Sequence, residues 1–146
     1  MKISPAAELA VRGVLVLARQ FGKGPVALST VCADGELPRQ YLMKIFASLA
    51  KAGIVTPLRG KHGGYVLARQ PSQITLLEVI EAVEGPICLN YCQHSPPKCD
   101  RVTCKVRPVW TELQRIVRNK LASVRLSDCI TEEDQAPASP APNDKR

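Results

Sequence analysis

Four of the chain's six cysteines, Cys88, Cys92, Cys99 and Cys104, fall between Pro86 and Lys105 together with His94, Pro96 and Pro97. Soft thiolates on a proline-rich stretch that resists both helix and strand can turn inward toward one centre, as an iron-sulfur cluster or a structural zinc requires. The spacings C-x3-C, C-x6-C and C-x4-C match neither the paired knuckles of zinc ribbons nor the tight ferredoxin run, and zinc is the second choice. A disulfide framework is the competing explanation. No apolar signal segment opens the sequence and no apolar run is long enough to span a bilayer, so reduced thiols in a cytoplasmic protein without a membrane partner are expected.

The 146 residues suffice for one domain with a core plus appendages. A formal charge of +7 matters less than its placement. From Leu37 to Leu77 there is no acidic residue, while Arg39, Lys44, Lys51, Arg59, Lys61 and Arg69 are all basic. An acid-free stretch of this kind points to a polyanion, with double-stranded DNA ahead of an anionic membrane because large exposed aromatics are scarce. Nothing in the sequence supplies a nucleophile-base pair or a phosphate-binding glycine loop, so an enzyme is not expected.

The elements that must carry these groups follow from periodicity. Ser4-Pro5 opens a helix whose apolar positions are Ala10, Val14, Leu17, Ala18 and Phe21, stopped by Gly22 and Gly24-Pro25. A shorter helix over about 27–33 ends at Asp34-Gly35, and Pro38 opens a third with the stripe Leu42, Ile45, Phe46, Leu49 and Ala52. The polar side of that third helix offers Arg39, Gln40, Tyr41 and Lys44, the pattern of a helix-turn-helix recognition helix. Two apolar stretches, 54–58 and 65–68, flank Arg59-Gly60-Lys61-His62-Gly63-Gly64, a hairpin with a basic glycine-rich tip. A connecting helix is expected over 74–83. A long helix over about 105–126 follows, with a seam of Val106, Trp110, Leu113, Val117, Leu121 and Val124 suited to dimerisation. The fold class is thus mainly α with a small β-hairpin.

Tyr41-Leu42, Leu49, Ala52-Gly53-Ile54-Val55, Arg59-Gly60, Gly63-Gly64-Tyr65 and Leu67-Ala68-Arg69, followed by a cysteine loop, resemble the IscR/NsrR/RirA family of winged-helix iron-sulfur transcription regulators. The resemblance covers roughly residues 1–127. With the element pattern it gives a winged helix-turn-helix domain over 1–84, a cluster-binding loop over 85–104 and a dimerisation helix over 105–127, and the prolines Pro137, Pro140 and Pro142 among alanines and charges predict a disordered tail over 128–146. The resemblance implies a homodimer on a pseudo-palindromic operator, and the acid-free basic segment with the hairpin tip places Arg39, Gln40, Tyr41, Lys44, Arg59, Lys61 and His62 toward DNA.

By the same resemblance Cys92, Cys99 and Cys104 hold the cluster, [4Fe-4S] being favoured over [2Fe-2S]. Glu8 of the other subunit leads as fourth ligand, ahead of Cys88, His94 and a non-protein ligand. As a helix-dipole residue Glu8 would need no such role. Cys32 is expected in the core and Cys129 at the surface, unligated. The function expected is sensing of redox, nitric oxide or iron status through the cluster. The alternatives are a zinc- or thiol-disulfide-dependent regulator, or a clusterless repressor controlled by a protein partner.

Overall fold

The computed structural model describes residues 3–35, 38–101 and 103–131. Helix α1 (Pro5–Arg19) starts where Ser4 Oγ accepts the Ala7 N–H at 3.2 Å, with proline at the first helical position. It is followed by α2 (Leu28–Gly35) and α3 (Arg39–Lys51), then strands β1 (Val55–Leu58) and β2 (Gly64–Leu67), and helices α4 (Leu76–Glu84) and α5 (Arg107–Ser123). Among the described residues no helix is long and apolar enough to cross a membrane.

The core collects Ala10, Val14 and Leu17 of α1, Leu42, Phe46 and Leu49 of α3, and Ile54, Ile74 and Val79. Phe46 is its pivot. One ring edge meets Tyr65 of the hairpin, centroids 4.8 Å apart in a T-shaped pair. The ring also lies against Gly13 of α1, where a Cβ would stand 2.7 Å from Phe46 Cε2.

The strands pair antiparallel in the register Val55↔Leu67 to Leu58↔Gly64. A further rung comes from Val26, just before α2, whose N–H and C=O exchange 2.9 Å bonds with Tyr65. At Gly64 a Cβ would lie 2.3 Å from Val26 O, so only glycine lets the hairpin base approach that segment. Thr75 caps α4 in a reciprocal box with Glu78, which also pairs with Arg69 at 2.9 Å. Burial pushes the Glu78 carboxyl up, but the Thr75 N–H, Arg69 and the Thr75 hydroxyl together bring it below its ordinary value. The box therefore stabilises α4 at neutral pH and weakens as pH falls through the lowered value.

Several expectations shift. Phe21 leaves the apolar stripe of the first helix: α1 ends at Arg19 and the ring is 44% exposed. Helix α2 ends at Asp34-Gly35 as expected, and residues 36–37 lie outside the described residues. The long helix stops at Ser123, because Val124 turns extended and the chain pairs back on the domain. Leu76 N–H donates to Val124 O at 3.0 Å and Leu126 N–H to Ile74 O at 2.9 Å, which seats Leu126 fully in the core. Asp128 and Cys129, expected in the tail, belong to a short 3-10 turn, and Ile130 packs against the core. The rest of the expected tail, 132–146, lies outside the described residues.

Alanine at position 13 sets two effects against each other. Helix propensity favours it by about 1 kcal/mol, whereas overpacking an enclosed ring costs about 1–3 kcal/mol. With Phe46 locked on Tyr65, overpacking should win, and Gly13→Ala should melt several degrees lower by calorimetry. Adding Phe46→Leu should recover part of the loss. A melting temperature at or above the parent's for Gly13→Ala alone would mean the ring can yield.

Candidate nucleic-acid interface and metal centre

Helix α3 divides cleanly. Leu42, Ile45, Phe46 and Leu49 are buried, which turns Arg39, Gln40, Tyr41, Met43 and Lys44 to the surface on the first two turns. The hairpin tip holds Arg59, Lys61 and His62, all exposed. Gly60 takes φ +119° and its carbonyl accepts the Gly63 N–H at 3.1 Å, while a Cβ on Gly63 would lie 2.3 Å from Leu58 O. The glycines thus close the tip so tightly that its basic side chains stand outward.

Helix and hairpin share one groove of about 340 Å³, lined among others by Ser29, Arg39, Met43, Pro57, Leu58 and Gly63. Such a face presents cations of two elements to one elongated polyanion. Sequence reasoning gave no part to Ser29, Pro57 or Leu58. They come to the groove only through the three-dimensional contact, and no local pattern marks them.

The cysteine loop leaves α4 at Gly85, φ +78°. Cys88 donates to Gln93 O at 3.5 Å and lines an apolar cleft between α4, the loop and α5. Tyr91–Gln93 form a 3-10 turn, after which His94 stacks on Tyr91 at 6.4 Å. The Gln93 amide donates to Cys92 Sγ at 3.4 Å and to Thr111 Oγ1 of α5 at 3.2 Å. Cys104 sits at the start of α5, where the N–H groups of Val106 and Arg107, aided by the charges of Arg101 and Arg107, hold its thiol below the ordinary value.

Glu8 lies exposed on α1 in an ion pair with Arg12 at 2.5 Å. Cys92, Cys99 and Cys104 are all half-buried free thiols. Among the described residues no three metal-ligating side chains are gathered at one point. The donors themselves fit a soft metal: thiols on a loop with one short turn, one of them already biased toward thiolate.

Residues 3–132 match the Rrf2 family, described as iron-dependent transcriptional regulators. The chain belongs to this family. The Bacillus subtilis regulator CymR is 32% identical over 136 residues, 92% of this chain and 93% of that protein. The solved structure of CymR, the global cysteine regulator of that organism, superposes with a TM-score of 0.76 at 29% identity, covering 88% of this chain and 95% of its own. An IscR structure from T. potens gives 0.75 at 30% identity, covering 95% and 94%. As an Rrf2 protein the chain is a winged-helix transcriptional regulator, not an enzyme.

The two thiols with shifted values give a direct test. Cys104 is held down by helix-start N–H groups, whereas burial, with Asp128 beside it, pushes Cys129 up. In metal-free protein Cys104 should therefore be alkylated at lower pH than Cys129, read peptide by peptide by mass spectrometry across a pH series. Coincident profiles would show that the helix start does not act on Cys104.

Proposed function

We infer that this Rrf2 protein is a dimeric regulator that binds a pseudo-palindromic operator and senses redox, nitric oxide or iron status through an iron-sulfur cluster on Cys92, Cys99 and Cys104. One observation carries the reading most: the cysteine loop is hydrogen-bonded to α5, and α5 carries a bare apolar row. Val106, Val109, Leu113 and Ile116, spaced three, four and three residues apart, are 41–54% exposed, and no residue of α5 is buried; of the expected seam Val106 and Leu113 belong to this row, while Val117 and Leu121 line the cleft beside α4. A helix with such a face is stabilised by burying it against a second copy. Seated on the loop, a cluster would supply a redox-sensitive link in a segment that is hydrogen-bonded to α5 through Leu89–Gln114 and Gln93–Thr111.

DNA contact is assigned to Arg39, Gln40, Tyr41 and Lys44 in the major groove and to Arg59, Lys61 and His62 on the hairpin. The acid-free surface supports this: each phosphate neutralised contributes about 0.9 to the salt slope of log affinity. Glu8 is assigned as fourth ligand from the partner subunit, consistent with a carboxylate whose present tie to Arg12 is exposed and weak. Cys88, by contrast, is turned into the apolar cleft.

A second reading has the loop thiols themselves as the sensor. It is favoured by the lowered Cys104 thiol and by the absence, among the described residues, of a gathered ligand set. The colour and iron content of anaerobically purified protein separate the two.

Three measurements test the first reading. The double variant Arg59→Ala, Lys61→Ala should lower the salt slope by about two units, and an unchanged slope removes the hairpin from the interface. Iron content after anaerobic reconstitution should collapse in Cys92→Ala, Cys99→Ala and Cys104→Ala but not in Cys32→Ala or Cys129→Ala; full occupancy in Cys99→Ala would sink the ligand set. Finally, Glu8→Ala should alter the visible spectrum and uncouple DNA affinity from iron loading, while Cys88→Ala should do neither. The reverse pair of results moves the fourth ligand to Cys88.

A further inference from the structure

Helix α5 is attached to the rest of the molecule in an uneven way. Its C-terminal end is pinned by the Val124–Leu126 pairing onto Ile74–Leu76, with Leu126 in the core. Toward its N-terminus no side chain is buried, and a cleft of about 600 Å³, lined by Ile80, Ile87, Val117 and Leu121 among others, opens between α4 and α5. Hydrogen bonds and an ion pair span that cleft beside its apolar lining. Arg118 of α5 pairs with Glu81 of α4, the Leu89 N–H donates to Gln114 at 3.2 Å, and Gln93 donates to Thr111. The helix is a lever hinged at one end and propped in its middle.

Glu81 is the prop that faces both ways. One of its oxygens, Oε1, accepts the Arg118 guanidinium and also the Ile87 N–H at 2.9 Å, the latter from the first turns of the cysteine loop. The loop start and the long helix thus compete for, and are registered by, one partly sheltered carboxylate on the DNA-binding domain. Withdrawing the charge leaves α5 free to swing about its hinge.

The geometry points to Glu81, acting through Arg118, as the positioning residue that sets operator half-site spacing. This rests on the dimeric DNA-binding reading. The angle between α5 and the domain fixes the separation of two α3 helices in a dimer joined through α5, and two half-sites about 34 Å apart tolerate little change in it. A single inserted base pair moves one half-site by about 3.4 Å and turns it by about 35°. A propped lever penalises the insertion; a loose one follows it.

The test uses the full chain and a duplex selected from a randomised pool, alongside the same duplex with one base pair inserted at its centre and a single half-site. Insertion should weaken the parent by at least about tenfold, but Glu81→Ala and Arg118→Ala by no more than about threefold, half-site affinity being unchanged in all. The charge-swapped pair Glu81→Arg, Arg118→Glu should regain most of the penalty, which a merely structural role would not predict. Parental penalties in both single variants, or a swap no better than either, overturn the assignment. A parent that binds one half-site as well as two overturns the dimer reading itself, and the spacing role with it.

Discussion

The orientation of the recognition helix depends on Phe46 being held on two sides at once. Gly13 lets α1 come within reach of the ring, and Tyr65 meets its edge from the hairpin, so helix, wing and scaffold are referred to one side chain. Because interiors pack at crystal-like density, a ring so confined transmits position rather than absorbing it. Tyr65 in turn is fixed through its backbone to Val26, which sets the start of α2. The polar face of α3 is where it is because the apolar face has nowhere else to go.

Electrostatics then acts on a prepared surface. None of the cations on α3 or the hairpin tip needs to be strong individually; exposed charges attract through a screened field, and their joint effect on a polyanion is what accumulates. Several carboxylates sit apart from this face in pairs of their own: Glu8 of α1 with Arg12, Glu78 and Glu81 of α4 with Arg69 and Arg118, and Glu112 of α5 with Arg115. This segregation lets one small domain be cohesive within itself and still present an uncompensated positive face outward.

Much of this was legible in the sequence because local signals agreed with the tertiary outcome. Ser4-Pro5, the α3 stripe from Leu42 to Leu49 and the Arg59–Gly64 tip each combine a period with a cap or turn residue and form as expected, whereas Ala52, the last residue of the expected stripe, caps the helix and is exposed. Misjudged boundaries lie where a long-range contact overrode the local pattern. Val124 and Leu126 continue a helical period, yet backbone pairing with Ile74 and Leu76 draws them out of the helix, and no window of sequence contains both partners. Phe21 failed for the opposite reason, since Gly22 and Gly24, both with positive φ, end the helix before its turn comes. The groove-lining Ser29, Pro57 and Leu58 carry no signature at all; they matter only through what folds next to them. In the loop, residue type pointed to soft-metal chemistry, but convergence of thiols is a property of the chain's path, and spacing alone does not specify it.

The proposed sensor needs only a modest lever. Coupling between two sites is commonly worth about 1–3 kcal/mol, and it must be carried by an element with two arrangements that both sites bias. Helix α5 has the attributes of such an element: fixed at Val124–Leu126, bare on its apolar row and joined to the loop by side-chain amides rather than by packed core. A helix buried along its length would hold its angle against any change at the loop, whereas one tied by a few polar contacts can be re-aimed when one of them is lost. In the proposed sensor the sparse packing of α5 is what lets the helix be re-aimed. The stability it forgoes within one chain can be recovered when Val106, Val109, Leu113 and Ile116 are covered by a second copy.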